Sequence, residues 1–244
     1  MNAQAILHNL IKRYSTCQTY SDVGFSETKG QPKPRLDFRT YFCRPDKFRF
    51  EWTDYHPYFG KSTGPQHYAL WSDGKKVYTC YHFNDYQVRE TGSLLLAVAG
   101  ATGISSGAAY FIHSLLLSPG RFPPRLFRFK SCRKLEDDQI DGESCYVING
   151  ARKYGHNTTM WVRTSDYVVK RRRDIMSMES TWMLKAVTKI GEMMFGSREK
   201  SGFVDEYGRN LQLVHVADYS EVRFDDPLDD QIFHGPKLPL AKLR

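Results

Sequence analysis

Apolar residues recur at helical spacing at the start of the chain and at every second position soon after. Ile6, Leu7, Leu10, Ile11 and Tyr14 fall on one stripe of a predicted helix over 3–15. From about residue 18 the period is two. Leu36, Phe38, Thr40 and Phe42 alternate with Asp37, Arg39 and Tyr41; after Arg44-Pro45-Asp46, Phe48, Phe50 and Trp52 alternate with Lys47, Arg49 and Glu51. Proline has no N–H for a strand ladder, so the turn belongs at Pro45. The two strands read as a half-buried hairpin with one apolar and one charged face.

Residues 54–65 read as loop. A strand over 66–71 meets the turn Ser72-Asp73-Gly74-Lys75, and strands over 76–82 and 85–90 follow. Residues 92–120 break the rhythm: they contain no Asp, Glu, Lys or Arg. Their length suits a membrane span, but Gly100, Gly103, Ser105, Ser106 and Gly107 interrupt the middle. Two short apolar helices hinged near Gly103–Gly107 are expected instead. Strands return over 125–134, 144–151, 158–164 and 167–175, with turns at Asp141-Gly142-Glu143 and Thr164-Ser165-Asp166. A helical stripe over 177–195 and a strand over 210–217 complete the reading. Consecutive hairpins make a meander rather than a doubly wound sheet. The expectation is one mainly β domain over 1–244, with a lid segment at about 92–120 and a helical insertion at about 177–195.

Aromatic residues make up 14% of the 244 residues, which suits strands and apolar binding surfaces. Phe38, Phe42, Phe48, Phe50 and Trp52 from the hairpin, with Leu94, Leu95, Leu96, Phe111, Ile112, Leu115 and Leu116 from the uncharged segment, are candidates to face an apolar ligand. The net charge of +8 admits anionic partners, yet it is spread along the chain and matches no nucleic-acid module. The basic run Lys170 to Arg173 reads as an exposed or edge-strand device, with contact to anionic headgroups as the alternative. The acidic stretch 225–230 lacks a calcium-loop pattern and reads as solvated. Eight scattered histidines and no nucleophile, phosphate-loop or metal motif leave no enzyme class and no cofactor implied. Of the five cysteines, Cys132 and Cys145 are the disulfide candidate. A hairpin turn near Asp138–Gln139 would set them opposite one another.

Several segments are similar to the LolA/LolB-like periplasmic lipoprotein carrier family. CRPDKFRFEW (43–52) and WSDGKKVYTCYHFNDYQV (71–88) carry an Arg-Pro turn, an aromatic strand and a Ser-Asp-Gly-Lys turn in the family's order. DGESCYVINGA (141–151), MWVRTSDYVVKRRRDI (160–175) and the stretch from Tyr219 to Phe233 resemble its outer-membrane lipoprotein-sorting relatives. The resemblance implies an incomplete antiparallel β-barrel with lid helices over a hydrophobic cavity. It implies binding of lipid or lipoprotein acyl chains without a cofactor; transient membrane contact and no nucleic acid are expected alongside. Arg44 would match the arginine that helps hold the lid closed, here toward carbonyls of Gly100–Gly107. Phe48 and Phe50 would match aromatics facing the cavity. The same fold in envelope-stress regulators that bind a protein partner supplies the alternative. No basic-then-apolar leader opens the chain, and Ala3-Gln4-Ala5 fits a cleavage-site remnant, so an exported protein with its leader removed is expected.

Overall fold

Alternation over many short segments dictates strands, and strands that bury one face must share it. The computed structural model describes residues 1–29, 35–55, 64–81, 85–105, 107–117, 129–151, 156–177 and 212–235. The expected helix over 177–195 and the tail lie outside them. Helix α1 (Ala3–Thr16) is followed by β1 (Thr19–Lys29), β2 (Arg35–Cys43), β3 (Lys47–Asp54), β4 (Gln66–Asp73), β5 (Val77–Tyr81) and β6 (Val88–Thr91). Then come α2 (Leu94–Ile104), α3 (Phe111–Leu116), β7 (Ser131–Lys134), β8 (Asp138–Ile140), β9 (Glu143–Ala151), β10 (Asn157–Arg163), β11 (Val169–Ser177) and β12 (Gln212–Phe224). A 3-10 helix, Asp230–Phe233, ends the described chain's regular structure.

All twelve strands join one antiparallel sheet in the order β6-β5-β4-β3-β2-β1-β12-β11-β10-β9-β7, with β8 also on β9. The sheet is unclosed: it is an incomplete barrel, mainly β, with helices on it. The first strand pairs with the last, so β1 and β12 lie at its centre and knit two meanders together.

The predicted helix pair is present. Ser93 caps α2 by accepting from the Leu96 N–H at 3.2 Å, and Gly107 takes a left-handed φ of 85° between α2 and α3. Among the described residues no helix is long and apolar enough to cross a membrane. Helix α1 buries Ile6, Leu7, Leu10 and Tyr14 as its stripe predicts, and it contacts α3 and β7. Helix α2 lies on β4, β5 and β6 and buries Ala97, Val98 and Ala101.

Two expectations about the sheet are corrected. Strand β3 buries both faces, because Arg49, Glu51 and Thr53 are also covered. The Arg49 guanidinium donates to the Ile232 and Gly235 carbonyls at 3.2 and 2.6 Å, so the 3-10 helix shields the outer face there. The acidic stretch is exposed as expected, with Asp225, Asp226, Asp229 and Asp230 all open to solvent. Asp225 accepts from the Gln18 N–H at 2.7 Å, and Asp230 pairs with Lys47 and His234. The basic run sits on β11, which has neighbours on both sides and is no edge.

The β8–β9 turn lies at Asp141-Gly142, both with positive φ, as a two-residue hairpin loop requires. Strand β7 therefore sets Cys132 opposite Gly150, while Cys145 stands opposite Asp138 and Arg163. Positions 145 and 150 have opposite parity on β9, so the two cysteines point to opposite faces. Both are free thiols, and the proposed disulfide is not supported by this register.

Candidate functional site

The inner face of the sheet is defined by parity, and one register row crosses it as a line of aromatics. Tyr81 stands opposite Tyr68, Tyr68 opposite Trp52, Trp52 opposite Phe38, Phe38 opposite Gly24 and Gly24 opposite Tyr219. Trp52 and Tyr68 stack with ring centroids 5.0 Å apart and planes 6° from parallel. Phe50 stacks on Trp52 at 5.0 Å, and Phe38 meets Tyr219 at 5.6 Å. Six strands at a spacing of about 4.8 Å give this row a length of roughly 24 Å. Gly24 makes it continuous. A Cβ there would come within 2.4 Å of both the Phe38 ring and the Asp218 carbonyl oxygen.

Of the sequence candidates, Phe38, Phe42, Phe48, Phe50, Trp52, Phe111 and Leu115 are all buried on this face or against it. Leu94 is half-buried and packs on the same core. Leu95 and Leu96 are corrected: they are 72% and 63% exposed. Helix α2 turns Ala97, Val98 and Ala101 inward, and that phase leaves both leucines outside.

Helix α3 closes over the row. His113 meets the Phe48 and Phe50 rings edge-on at 5.0 and 4.5 Å. Its Nδ1 donates to the Ala109 carbonyl at 2.6 Å, which leaves Nε2 to accept from the Thr40 hydroxyl at 3.1 Å. Burial holds its pKa down to about 3, so the ring is neutral.

Arg44 is also corrected. Its guanidinium donates to the Cys17 carbonyl at 2.6 Å and to the Tyr14 carbonyl at 3.1 Å, so it satisfies the last carbonyls of α1. It ties that helix to the β2–β3 turn; it does not reach toward 100–107.

The other half of the inner face sets buried polar groups among apolar ones such as Ile148, Met160 and Val162, and sequence reading missed the polar ones. Ser26, Arg172, His215 and Tyr219 are all buried. Asp22 lies buried beside them; its carboxylate accepts from the Tyr20 hydroxyl at 2.7 Å. Burial raises its pKa to about 6 against the lowering effect of that bond. The signal was parity: Asp22, Gly24 and Ser26 share the register of Tyr20, and Arg172 is the inward member of its basic run. Among the described residues no group of three or more His, Cys, Asp or Glu is placed to hold a metal ion.

No family model matches the chain, and no curated protein does. Solved structures do match. LprF from Mycobacterium bovis is 12% identical, with 93% of this chain and 94% of that chain covered and a TM-score of 0.48. A LolA superfamily protein from Nitrosomonas europaea is 14% identical, with 96% and 98% covered and a TM-score of 0.34. MucB of Pseudomonas aeruginosa, solved with MucA, is 10% identical; the match covers 96% of this chain and 61% of that one, with a TM-score of 0.44. At such identities and scores these likenesses bear on neither the ligand nor the partner of this chain. One of these structures is of a LolA superfamily protein, the family that the sequence segments resemble.

Proposed function

We propose that the inner face binds the acyl chain of an amphiphile without chemical conversion, and that the protein acts as a lipid or lipoprotein carrier in the cell envelope. The observation that carries this reading is the aromatic row from Tyr81 to Tyr219, roughly 24 Å long. Among the described residues it lies under short, uncharged helices and not under a second sheet. That length suits an extended long-chain tail. Burying a large apolar side chain is worth about 1.5–3 kcal/mol. A bound chain can take over that burial when α2 and α3 move aside. The break at Gly107, between two short helices, supplies a place to bend.

The exposed pair Leu95 and Leu96 favours a second reading, in which α2 meets a protein partner in the envelope. The two separate cleanly. Protein purified without detergent and extracted with organic solvent is expected to release fatty acyl species in near-stoichiometric amount. Stripped protein is expected to take up a fluorescent fatty acid. A clean extract together with no uptake refutes the carrier reading.

A further inference from the structure

The β12–β11 side of the inner face contains several buried polar groups without a hydrogen-bond partner. Ala217 sits at its centre, with Ser26 opposite it on β1 and Arg172 opposite it on β11. Two residues away along β12, in either direction, stand His215 and Tyr219. Four side chains therefore surround one small residue.

Arg172 pairs with Asp174 through Nη2, and Asp174 is held in turn by the Thr158 hydroxyl at 2.6 Å. The guanidinium lies over the Phe111 ring at 4.9 Å, with its side chain 9% exposed. Its Nε and Nη1 have no hydrogen-bond partner, and neither have the Ser26 hydroxyl, the Tyr219 hydroxyl or His215 Nε2. His215 Nδ1 lies 3.3 Å from the Thr28 hydroxyl. Burial and the adjacent Arg172 hold the His215 ring neutral, with a pKa near 4.

Buried polar groups are nearly always bonded, and each exception calls for a missing partner. Here the groups left without a hydrogen bond are two guanidinium donors, three groups that can donate or accept, and two carboxylate oxygens, Asp22 Oδ1 and Asp174 Oδ2. The guanidinium suits an oxyanion. The groups also lie where the aromatic row ends, since Tyr219 touches Phe38 at 5.6 Å.

We propose that Arg172, Tyr219, Ser26 and His215, arranged around Ala217, bind the anionic head group of the amphiphile, a carboxylate or a phosphate. This assignment rests on the acyl-chain reading of the inner face and adds a polarity to it. The tail runs along the row toward Tyr81, and the head stops at Arg172.

The test uses the stripped full chain and three probes: oleate, oleyl alcohol and inorganic phosphate. Oleate and oleyl alcohol share a tail and differ in the head. Oleate is expected to bind about tenfold or more tightly than the alcohol, the scale of a charge-assisted hydrogen bond. Arg172→Gln is expected to erase that preference and leave the alcohol's affinity unchanged. Equal affinities in the unaltered chain, or an equal loss of both ligands in Arg172→Gln, overturns the head-group site while leaving chain binding intact. Binding of phosphate that oleate does not displace also overturns it, because the groups then serve a free anion. If neither lipid binds, the acyl-chain reading itself fails. Should Arg172→Gln not fold, the comparison of oleate with the alcohol in the unaltered chain decides alone.

Discussion

Asp22 shows how a single buried group sets the pH response. Its carboxyl, 2% exposed, is raised by burial from 3.8 to about 6. An unfolded aspartate ionises near its ordinary value, so between about pH 4 and 6 the unfolded chain holds fewer protons than the folded one. The Asp22 contribution is therefore full below pH 4 and is lost as the pH rises toward 6. Asp22→Asn keeps an acceptor for the Tyr20 hydroxyl and removes this penalty. It is expected to stabilise the fold at pH 7 by roughly 2–3 kcal/mol. His113 and His215 act in the opposite sense. Their folded pKa values, about 3 and about 4, lie below that of a free histidine, so stability falls as the pH drops below about 6.5. Asp22→Asn should therefore also lose stability more steeply between pH 6 and 4 than the unaltered chain does. Urea unfolding across that range checks both effects; an unchanged or lower stability at pH 7 contradicts them. None of this was legible in the sequence. Parity assigns Asp22 to the inner face, but its burial depends on β12 and on the helices that cover it.

At the scale of elements, alternation was the legible part. The parity of Leu36, Phe38, Thr40 and Phe42 matches the burial of β2 position for position, because a strand's side chains have a period of two whatever lies beyond it. The glycines and serines at 100–107 gave the break between α2 and α3 for a similarly local reason. What failed needed a partner from elsewhere. The phase of α2, the register of β7 on β9 and the acceptors of Arg44 are set by contacts distant in sequence. Arg44 supplies the element-scale prediction. Losing its bonds to Tyr14 and Cys17 is expected to cost about 1.5–3 kcal/mol. Amide exchange in Arg44→Leu should quicken in the last turn of α1 and stay unchanged over 94–116. Faster exchange confined to 94–116 would restore the role of a lid latch.

For the whole molecule, the pairing of β1 with β12 decides the site. It joins the aromatic meander β2–β5 to the strands that carry Arg172 and His215, so one face is aromatic on one side and carries unpartnered buried polar groups on the other. The aromatic side was readable from residues 36–52 alone. The polar side was not, since Ser26, Arg172 and Tyr219 come together only when the chain's two ends pair. The central claim is that a lipid tail lies along this row. It is tested most directly by photo-crosslinking stripped, full-length protein with a fatty acid carrying a diazirine near its methyl end, followed by peptide mapping. The account predicts adducts on the inward residues of β3, β4 and β5, around Trp52, Tyr68 and Tyr81, and on the helices above them. Adducts confined to the outer face, or to the exposed Leu95–Leu96 turn, would contradict it.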